Sequence, residues 1–316
     1  MTGASGFVGG AVLKALSRNV NVETVVPLRS PLRLMPAGVV SYPIGDLTDD
    51  QSSQLLAHRP DVVVHCASRV HVMSDTASDP LAEFRRINVD GTLAFARAAS
   101  AGGARRFVFV SSIKVNGEQT CTGEAYRADD TPNPVDPYGI SKHEAEQALL
   151  TLGAQTGMEI VIIRPVLVYG PGVKANFLSM MRWLDRGVPL PFGAIHNRRS
   201  LVALDNLVDL VLTCIKHPAA ANQIFLVSDG EDLSTTELLA RMARALGKPA
   251  RLLPVPAWLL TSSAKALGKG ALSQRLCGSL QVDISKTREL LGWQPPVKVD
   301  AALLAAARHY QENNDQ

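Results

Sequence analysis

The chain has 316 residues and a mass of 33.8 kDa; 46% of the residues are hydrophobic, 19% are charged, and the mean hydropathy is +0.08. This composition is typical of a globular protein and excludes a disordered or fibrous chain. The 32 basic and 29 acidic residues are spread along the sequence, so we expect no nucleic-acid partner. The apolar runs are too short to cross a bilayer, and we expect no membrane span and a cytoplasmic location. The four cysteines lack the spacing of metal ligands, so we expect no metal site; they are Cys66, Cys121, Cys214 and Cys277.

Short apolar runs alternate with helical patterns along the chain. Strand-like runs rich in Val, Ile and Phe occur at residues 22–28, 61–65, 107–111, 158–164 and 224–228. The spacing of apolar residues predicts helices at residues 9–18, 80–101, 138–155 and 205–216. This alternation predicts an α/β fold with a doubly wound parallel sheet.

A glycine-rich loop at residues 2–9 contains Gly3, Gly6, Phe7 and Val8 and leads at Gly9 into the first helical pattern. In such a loop the backbone can approach a pyrophosphate closely, and the helix N-terminus supplies free N–H groups and a positive dipole. The spacing alone also fits a plain structural turn. In the context of a parallel sheet, it predicts a Rossmann domain that binds a dinucleotide.

The position of this loop in the sequence is unusual. A buried strand of about five or six residues precedes it in a Rossmann domain, whereas here the loop follows Met1 directly. Either the natural protein begins upstream of Met1, or the chain folds with a gap in the middle of its sheet. We expect the former, because a missing central strand leaves backbone groups of both neighbouring strands unpaired.

The pattern changes after residue 165, where glycines and prolines punctuate the sequence before it becomes mainly helical from Ser234 onward. This predicts a dinucleotide-binding domain at residues 1–165 and a smaller, mostly helical substrate domain at residues 166–316. Strand-like stretches predict that segments near residues 200–230 return to the first sheet. Residues 255–276 combine Trp258 with leucines and lysines, which fits either a domain helix or an amphipathic helix at a membrane surface.

The end of the second predicted strand bears on the choice of dinucleotide. At about 20 positions beyond the glycine loop, an acidic residue selects NAD and an arginine accommodates the 2′-phosphate of NADP. Arg29 stands there without a carboxylate neighbour, so we expect NADP(H), with NAD(H) as the alternative. Farther on, Asp46 and Leu47 end another strand-like run, and Asp46 fits either an acceptor for the adenine amino group or a helix N-cap.

Tyr138 and Lys142 are four residues apart at the start of a predicted helix and therefore share one face. An ammonium beside a phenol, whose usual pKa is about 10, favours the ionised form and lowers that pKa. Ser112 follows a predicted strand, at the end where open α/β sheets bind ligands. We expect Tyr138 to act as an acid and base while Ser112 binds the same substrate oxygen.

The sequence resembles the extended short-chain dehydrogenase/reductase family, the group of nucleotide-sugar epimerases, dehydratases and 4-ketoreductases. The resemblance covers nearly the whole chain. Its motifs follow in the family's order: residues 2–9 (TGASGFVG), 45–47 (GDL), 65–68 (HCAS), 88–92 (NVDGT), 109–112 (FVSS), 138–142 (YGISK) and 164–172 (RPVLVYGPG). Residues 111–118 (SSIKVNGE) are similar to reductases of UDP-linked 2-acetamido-2,6-dideoxy-4-keto-hexoses in bacterial surface-polysaccharide synthesis.

The resemblance implies roles for individual residues. Ser112, Tyr138 and Lys142 would form the catalytic trio, and Lys142 would also hold the nicotinamide ribose. Ala67 and Asn88 would line the cofactor. Three further residues would contact the diphosphate or uridine of the substrate: Asn176, Arg199 and Arg275.

Simpler interpretations of these residues stay open. Asn176 also fits a helix cap, the two arginines fit solvated charges, and His71 fits either a sugar contact or a solvated loop residue. The sequence also departs from the family. Leu167 stands where several epimerases and dehydratases have an asparagine that touches the nucleotide. Ile113 and Lys114 replace the Asp–Glu pair of dehydratases, which disfavours 4,6-dehydration.

The resemblance implies a nicotinamide-dependent oxidoreductase that reduces the C4 keto group of a nucleotide-linked sugar. The alternatives are a UDP-hexose or UDP-N-acetylhexosamine 4-epimerase with tightly bound NAD, and a non-catalytic dinucleotide-binding protein. The last alternative does not explain the Tyr138 and Lys142 pair. We expect a UDP-linked rather than dTDP-linked substrate, and a homodimer.

Overall fold

The computed structural model describes residues 1–50, 52–70, 79–121, 123–266, 274 and 276–314. His71 and Arg275 therefore lie outside the described residues. The helices, in chain order, are α1 (Phe7–Leu16), α2 (Ser52–His58), α3 (Pro80–Arg85), α4 (Thr92–Ala101), α5 (Pro137–Thr156), α6 (Ala175–Asp185), α7 (Leu204–Lys216), α8 (Thr235–Ala245), α9 (Ala257–Ala266), α10 (Ser285–Leu291) and α11 (Val299–Asn314). A π-helical turn spans Arg86–Gly91, and 3₁₀ turns span Ile113–Val115 and Pro218–Ala220. None of the helices described is long and apolar enough to cross a bilayer.

The strands are β1 (Thr24–Leu28), β2 (Val39–Pro43), β3 (Val62–His65), β4 (Arg106–Val110), β5 (Glu159–Pro165), β6 (Leu167–Tyr169), β7 (Arg199–Ala203), β8 (Ile224–Val227) and β9 (Asp232–Leu233). A four-stranded parallel sheet has the order β3-β4-β5-β8. Its register places Val63 beside Phe107 and Val108 beside Val161. Helices pack on it through two large hydrophobic clusters. The predicted α/β fold with a parallel sheet is confirmed.

Strands β1 and β2 form a separate parallel pair. Two residues at the start of the chain lie between this pair and the four-stranded sheet. The Met1 amine donates a hydrogen bond to the Val25 carbonyl of β1 at 2.5 Å. The Thr2 amide donates to the Val64 carbonyl of β3 at 2.9 Å, and the Cys66 amide donates to the Thr2 carbonyl at 3.3 Å.

The remaining strands form a three-stranded sheet, β6-β7-β9. The sequence predicts that segments near residues 200–230 return to the first sheet. Strand β8 does so by pairing with β5, whereas β7 pairs with β6 and β9 in the second sheet. A third large cluster buries residues of α6, α8 and α11 beside this second sheet. Only Val166 separates β5 from β6, so the chain passes between the sheets where the sequence predicts a domain boundary. The boundary itself stays a prediction.

Local sequence accounts for the long helix α5. Asp136 is its N-cap and accepts a hydrogen bond from the Gly139 amide at 2.7 Å, while Pro137 occupies the first helical position. Gly157 ends the helix with φ of 78°, in the left-handed region that favours glycine. These signals place Tyr138 in the first turn of the helix.

The helix predicted at residues 80–101 is interrupted. Helices α3 and α4 flank the π-helical turn Arg86–Gly91, which contains the buried Asn88. A π-helical turn inserts one extra residue into the helical repeat and often marks a functional region. Here it directs the Asn88 side chain toward the loop after β3, as described below.

Candidate active site

A cavity of about 350 Å³ lies beyond the carboxyl ends of β1 and β3. This is the edge of a parallel sheet where ligands bind, and the volume falls in the range of small-molecule sites. It is lined by residues 2–6, 27–29, 44, 46, 47, 66–69 and 87. The lining contains Gly3, Gly6, Arg29, Asp46, Leu47 and Ala67 from the predicted cofactor site.

Close packing explains the glycines of the loop. Gly3 has φ of +75°, and a Cβ there would lie 2.6 Å from the Ala67 nitrogen. A Cβ on Gly9 would lie 2.0 Å from the Gly3 carbonyl oxygen. Gly6 precedes α1 and provides no side-chain cap, so the amides of the first turn, including those of Phe7 and Val8, have no capping side chain. This arrangement fits a pyrophosphate bound at the N-terminus of α1.

Asp46 is held by an arginine that the sequence analysis missed. Its Oδ2 accepts from Arg86 Nη1 at 2.8 Å, and its Oδ1 accepts from the Leu47 amide at 2.6 Å. The hydrogen bond from Arg86 lowers the pKa of the Asp46 carboxyl. Asp46 is not the N-cap of α2, which begins at Ser52. Arg29 is exposed at the cavity rim.

Asn88 shapes the cavity wall without lining it. Its Oδ1 accepts from the Arg69 amide at 2.7 Å and from Ser68 Oγ at 3.0 Å. Its Nδ2 donates to the Arg69 carbonyl at 3.1 Å and to Ser141 Oγ at 3.0 Å. Both the oxygen and the nitrogen of the buried side-chain amide therefore have hydrogen-bond partners. These hydrogen bonds hold Ser68 and Arg69 in position at the cavity wall.

The structure brings Ser112 and Tyr138 together. Ser112 follows β4 and begins a 3₁₀ turn, while Tyr138 lies in the first turn of α5. The Tyr138 hydroxyl lies within hydrogen-bonding reach of the Ser112 and Ser68 hydroxyls. Its ring also packs edge-on against Phe84, with 6.0 Å between ring centroids. Because Ser68 lines the cavity, the phenol stands beside the predicted dinucleotide site.

The electrostatics of Tyr138 differ from the expectation. The sequence analysis expects the Lys142 ammonium to lower the pKa of the phenol. Instead, burial raises that pKa to about 12. Lys142 donates from Nζ to the Val110 carbonyl at 2.7 Å, and Nζ lies 4.0 Å from the Phe109 ring centroid. Burial also lowers the pKa of Lys142 to about 7. Lys142 is thus engaged with β4, and removal of the phenol from water is the largest influence on the pKa of Tyr138.

A buried ion pair connects the segments that contain Ser112 and Tyr138. Glu146 accepts from Arg164 Nη2 at 2.6 Å and from Arg164 Nε at 3.0 Å. The same carboxylate accepts from Ser111 Oγ at 2.5 Å, and Arg164 Nη1 donates to Asn116 Oδ1 at 3.0 Å. This network joins α5, β5 and the segment that contains Ser112. The sequence analysis did not identify Glu146, although it lies four residues after Lys142.

Lys114 links the two segments that contain Ser112 and Tyr138. Its amide donates to Ser112 Oγ at 3.2 Å, and its Nζ forms ion pairs with the Asp136 and Glu118 carboxylates. Asp136 in turn caps α5, one turn from Tyr138. Lys114 therefore connects the 3₁₀ turn to the N-terminus of the helix.

Two of the predicted nucleotide-binding residues, Asn176 and Arg199, lie away from this cavity. Asn176 is exposed near the start of α6, after Ala175 with φ of 54°. Arg199 is half-buried on β7, donates to the Gly278 carbonyl at 3.0 Å, and has its pKa lowered by burial. Neither lines the cavity of about 350 Å³. Their role in binding a nucleotide stays a prediction.

The chain is similar to a known protein family and to members of it. The NAD dependent epimerase/dehydratase family matches residues 1–228. A UDP-glucose 4-epimerase of Vibrio cholerae is 46% identical over 100% of this chain and 96% of its own.

Solved structures share the fold. A UDP-glucose 4-epimerase of Thermotoga maritima, solved with UDP-glucose, has a TM-score of 0.79 at 20% identity, covering 99% of this chain and 98% of its own. A UDP-glucose 4-epimerase of Thermus thermophilus, solved with NAD, has a TM-score of 0.78 at 23% identity, covering 98% and 97%.

Proposed function

The chain belongs to the NAD-dependent epimerase/dehydratase family of nicotinamide-dependent enzymes, and from this premise we propose that it is a UDP-sugar 4-epimerase. The proposal rests chiefly on the Vibrio cholerae UDP-glucose 4-epimerase, which is 46% identical over the whole chain. That relative favours the epimerase alternative over the ketoreductase expected from residues 111–118. The substrate class is a UDP-hexose or a UDP-N-acetylhexosamine.

Tyr138 and Ser112 supply the acid–base chemistry of this proposal. The loop of Gly3, Gly6 and Gly9 would hold the dinucleotide, and the nicotinamide would supply hydride transfer from and back to C4 of the sugar, with return to the opposite face. Tyr138 accepts the proton of the C4 hydroxyl as the ketone forms, and gives it back when the hydride returns. Ser112, within hydrogen-bonding reach of Tyr138, holds the same sugar oxygen. The hydride and the proton removed in the first step are returned in the second, so the two steps together consume no reductant and no proton.

Lys142 would lower the pKa of the Tyr138 phenol if its ammonium moved toward the phenol. Lys142 lies four residues after Tyr138 on α5, and its ammonium donates a hydrogen bond to the Val110 carbonyl. A cation nearer the phenol lowers the pKa of the phenol and makes it a stronger proton acceptor at neutral pH. We assign Lys142 this role, together with contact to the nicotinamide ribose.

We propose NAD(H) as the cofactor in place of the NADP(H) expected from Arg29. The Thermus thermophilus structure was solved with NAD, and Arg29 is an exposed residue at the cavity rim. The loop of Gly3, Gly6 and Gly9 would hold the pyrophosphate. Titration calorimetry with NAD⁺ and NADP⁺ tests this assignment: an NADP⁺ affinity more than about tenfold higher, lost in Arg29→Ala, would restore the original expectation.

The nucleotide half of the substrate is assigned to the second sheet and its helices. We propose that Asn176, Arg199 and Arg275 contact the UDP group, which we favour over dTDP. A homodimer and a cytoplasmic location belong to the same proposal.

The decisive experiment offers purified protein UDP-glucose and UDP-N-acetylglucosamine, with products analysed by NMR. We expect inversion at C4 without net change in nicotinamide absorbance. In a parallel reaction, a UDP-linked 4-keto sugar is offered with NADH or NADPH. Stoichiometric nicotinamide oxidation there, without C4 inversion in the first reaction, would replace the epimerase with the ketoreductase that residues 111–118 resemble.

A further inference from the structure

Helix α9 exposes apolar side chains that the protein core does not use. It contains Trp258, Leu259 and Leu260, yet none of its residues with described side chains is buried. Trp258 is 68% exposed and Leu259 is 43% exposed. No residue of the helix belongs to the hydrophobic clusters of the described chain. Burial in this fold therefore does not explain the apolar character of α9.

Basic residues flank these apolar side chains. Leu253, which is 51% exposed, lies just before the helix, between the exposed Arg251 and α9. Lys265 is exposed near the end of α9. Residues 238–282 contain seven basic and no acidic residues, whereas acidic and basic residues are nearly balanced over the whole chain. Of these seven, Arg241 and Lys248 form ion pairs with acidic residues elsewhere in the chain. Arg251 and Lys265 form no ion pair among the described residues, so their positive charges are uncompensated in the segment that exposes Trp258.

We propose that Arg251, Leu253, Trp258, Leu259 and Lys265, here called the α9 surface, bind peripherally to an anionic lipid bilayer. Tryptophan is enriched where an apolar phase meets water, because its ring is apolar and its indole N–H remains hydrogen-bonded. A helix of 10 residues is too short to span a bilayer but can lie in its interfacial plane. Arg251 and Lys265 then face anionic headgroups, whose surface potential attracts them.

Charge favours this occupant over a second copy of the chain. In a symmetric dimer the same patch meets itself. Such a contact through the α9 surface would bring Arg251 and Lys265 of both copies together, and neither cation has an acidic partner among the described residues. An anionic bilayer complements these cations without such repulsion. The proposal does not depend on the epimerase assignment, since bilayer binding requires no substrate.

The test is flotation of the full chain with vesicles of phosphatidylcholine alone or mixed with phosphatidylglycerol. We expect binding to the mixed vesicles, weaker binding to the neutral ones, and release at high salt. Trp258→Ala should lower the partition coefficient about tenfold, from the lost burial of one large apolar side chain. Lys265→Glu should lower it at least about fivefold, from the loss of one cation at the surface.

Two control variants match these changes in chemistry and exposure. Leu290→Ala removes an exposed leucine of α10, and Lys216→Glu reverses an exposed cation of α7; both should bind vesicles like the unchanged chain. Circular dichroism and dinucleotide affinity should be the same for all variants, because α9 is outside the core.

Three results would overturn the proposal. The first is a failure to float with mixed vesicles, and the second is vesicle binding that is equal in all four variants. The third is dissociation of the Trp258→Ala variant to a smaller species, by mass measurement without vesicles, which would assign the α9 surface to a second copy.

Discussion

The Tyr138 hydroxyl interacts with the hydroxyls of Ser112 and Ser68, and Ser68 lines the glycine-rich cavity. Tyr138→Phe removes the proton acceptor but leaves the ring packed against Phe84. We expect turnover to fall by about 10²-fold to 10⁴-fold, with the dinucleotide dissociation constant unchanged within about twofold. Steady-state kinetics and titration calorimetry measure the two quantities.

Tyr310→Phe is the matched control, because it deletes a phenolic hydroxyl on α11 outside the cavity lining. Normal turnover in Tyr138→Phe would remove this residue from the mechanism.

Lys142 is a buried cation whose pKa falls from 10.5 to about 7 on folding. Because folding disfavours the protonated form, the side chain lowers the free energy of unfolding below pH 7, and this penalty fades as pH rises toward 10.5. Lys142→Met should therefore raise the free energy of unfolding by roughly 1–2 kcal/mol in the dinucleotide-free protein.

Urea denaturation of wild type and Lys142→Met at several pH values measures this effect. The difference should be largest at or below neutral pH and shrink in alkali. Lys216→Met, at an exposed position of α7, should change little. A less stable Lys142→Met at neutral pH would mean that the hydrogen bond to Val110 outweighs the cost of burial.

Helix α5 contains two glutamates, one in a buried ion pair and one in an exposed ion pair, so the two kinds of pair can be compared within one helix. Glu146 and Arg164 are both buried, whereas Glu144 and Arg85 form an exposed pair at 2.6 Å. Glu146→Gln leaves the Arg164 charge without its counterion, and we expect a loss of about 3–5 kcal/mol. Glu144→Gln should cost less than about 1 kcal/mol.

Chemical denaturation of both variants provides the comparison. The double variant Glu146→Leu with Arg164→Met should recover much of the lost stability, because it removes the unpaired charge as well. Similar losses in Glu146→Gln and Glu144→Gln would contradict this view of the network.

Lys114 joins the 3₁₀ turn that begins at Ser112 to the N-cap of α5. Its ion pair with Asp136 holds these two elements in register. Lys114→Met should lower kcat roughly tenfold through misplacement of the two hydroxyls, with KM and dinucleotide affinity little changed. Lys114→Arg should retain most activity.

Lys286→Met is the control for Lys114→Met, since Lys286 forms a comparable ion pair with Asp129 at 2.7 Å outside the cavity lining. A rise in KM without a change in kcat would instead indicate that Lys114 contacts the substrate.

At the scale of the whole molecule, the cavity is lined from the β1–β2 pair and from the four-stranded sheet, which are separate sheets in the described part of the chain. Strands β1 and β2 pack in a small cluster with α1, while β4 and β5 are buried in two large clusters. Amides of β1 and β2 should therefore exchange with solvent at least on the order of tenfold faster than those of β4 and β5.

Hydrogen exchange with and without NAD⁺ tests this prediction. Because the cavity is lined from both sheets, bound dinucleotide should slow exchange of β1 and β2 preferentially; at 100 times the dissociation constant it stabilises the native state by about 2.7 kcal/mol. Equal protection of all these strands without ligand would show that the two sheets unfold as one unit.

Local sequence was sufficient for much of the fold and for part of the candidate site. The alternation of apolar runs predicted the parallel sheet, since strands buried on both faces are continuously apolar. The cap residues Asp136 and Gly157 act within one helical turn of the ends of α5, and the glycine loop acts through its own backbone. Ser112 and Tyr138 were recognisable because a strand end and a helix start meet at one edge of the sheet.

The tertiary structure decided which residues hold this site and how they are charged. Arg86 meets Asp46 across 40 positions, and Arg164 meets Glu146 across 18; charged residues at such separations have no periodicity to mark them as partners. The sequence likewise placed Lys142 beside Tyr138 but not its contact with Val110. That contact and the depth of burial are set by the packing of β4 against α5, and they determine the pKa of both groups because removal from water depends on every element that surrounds them.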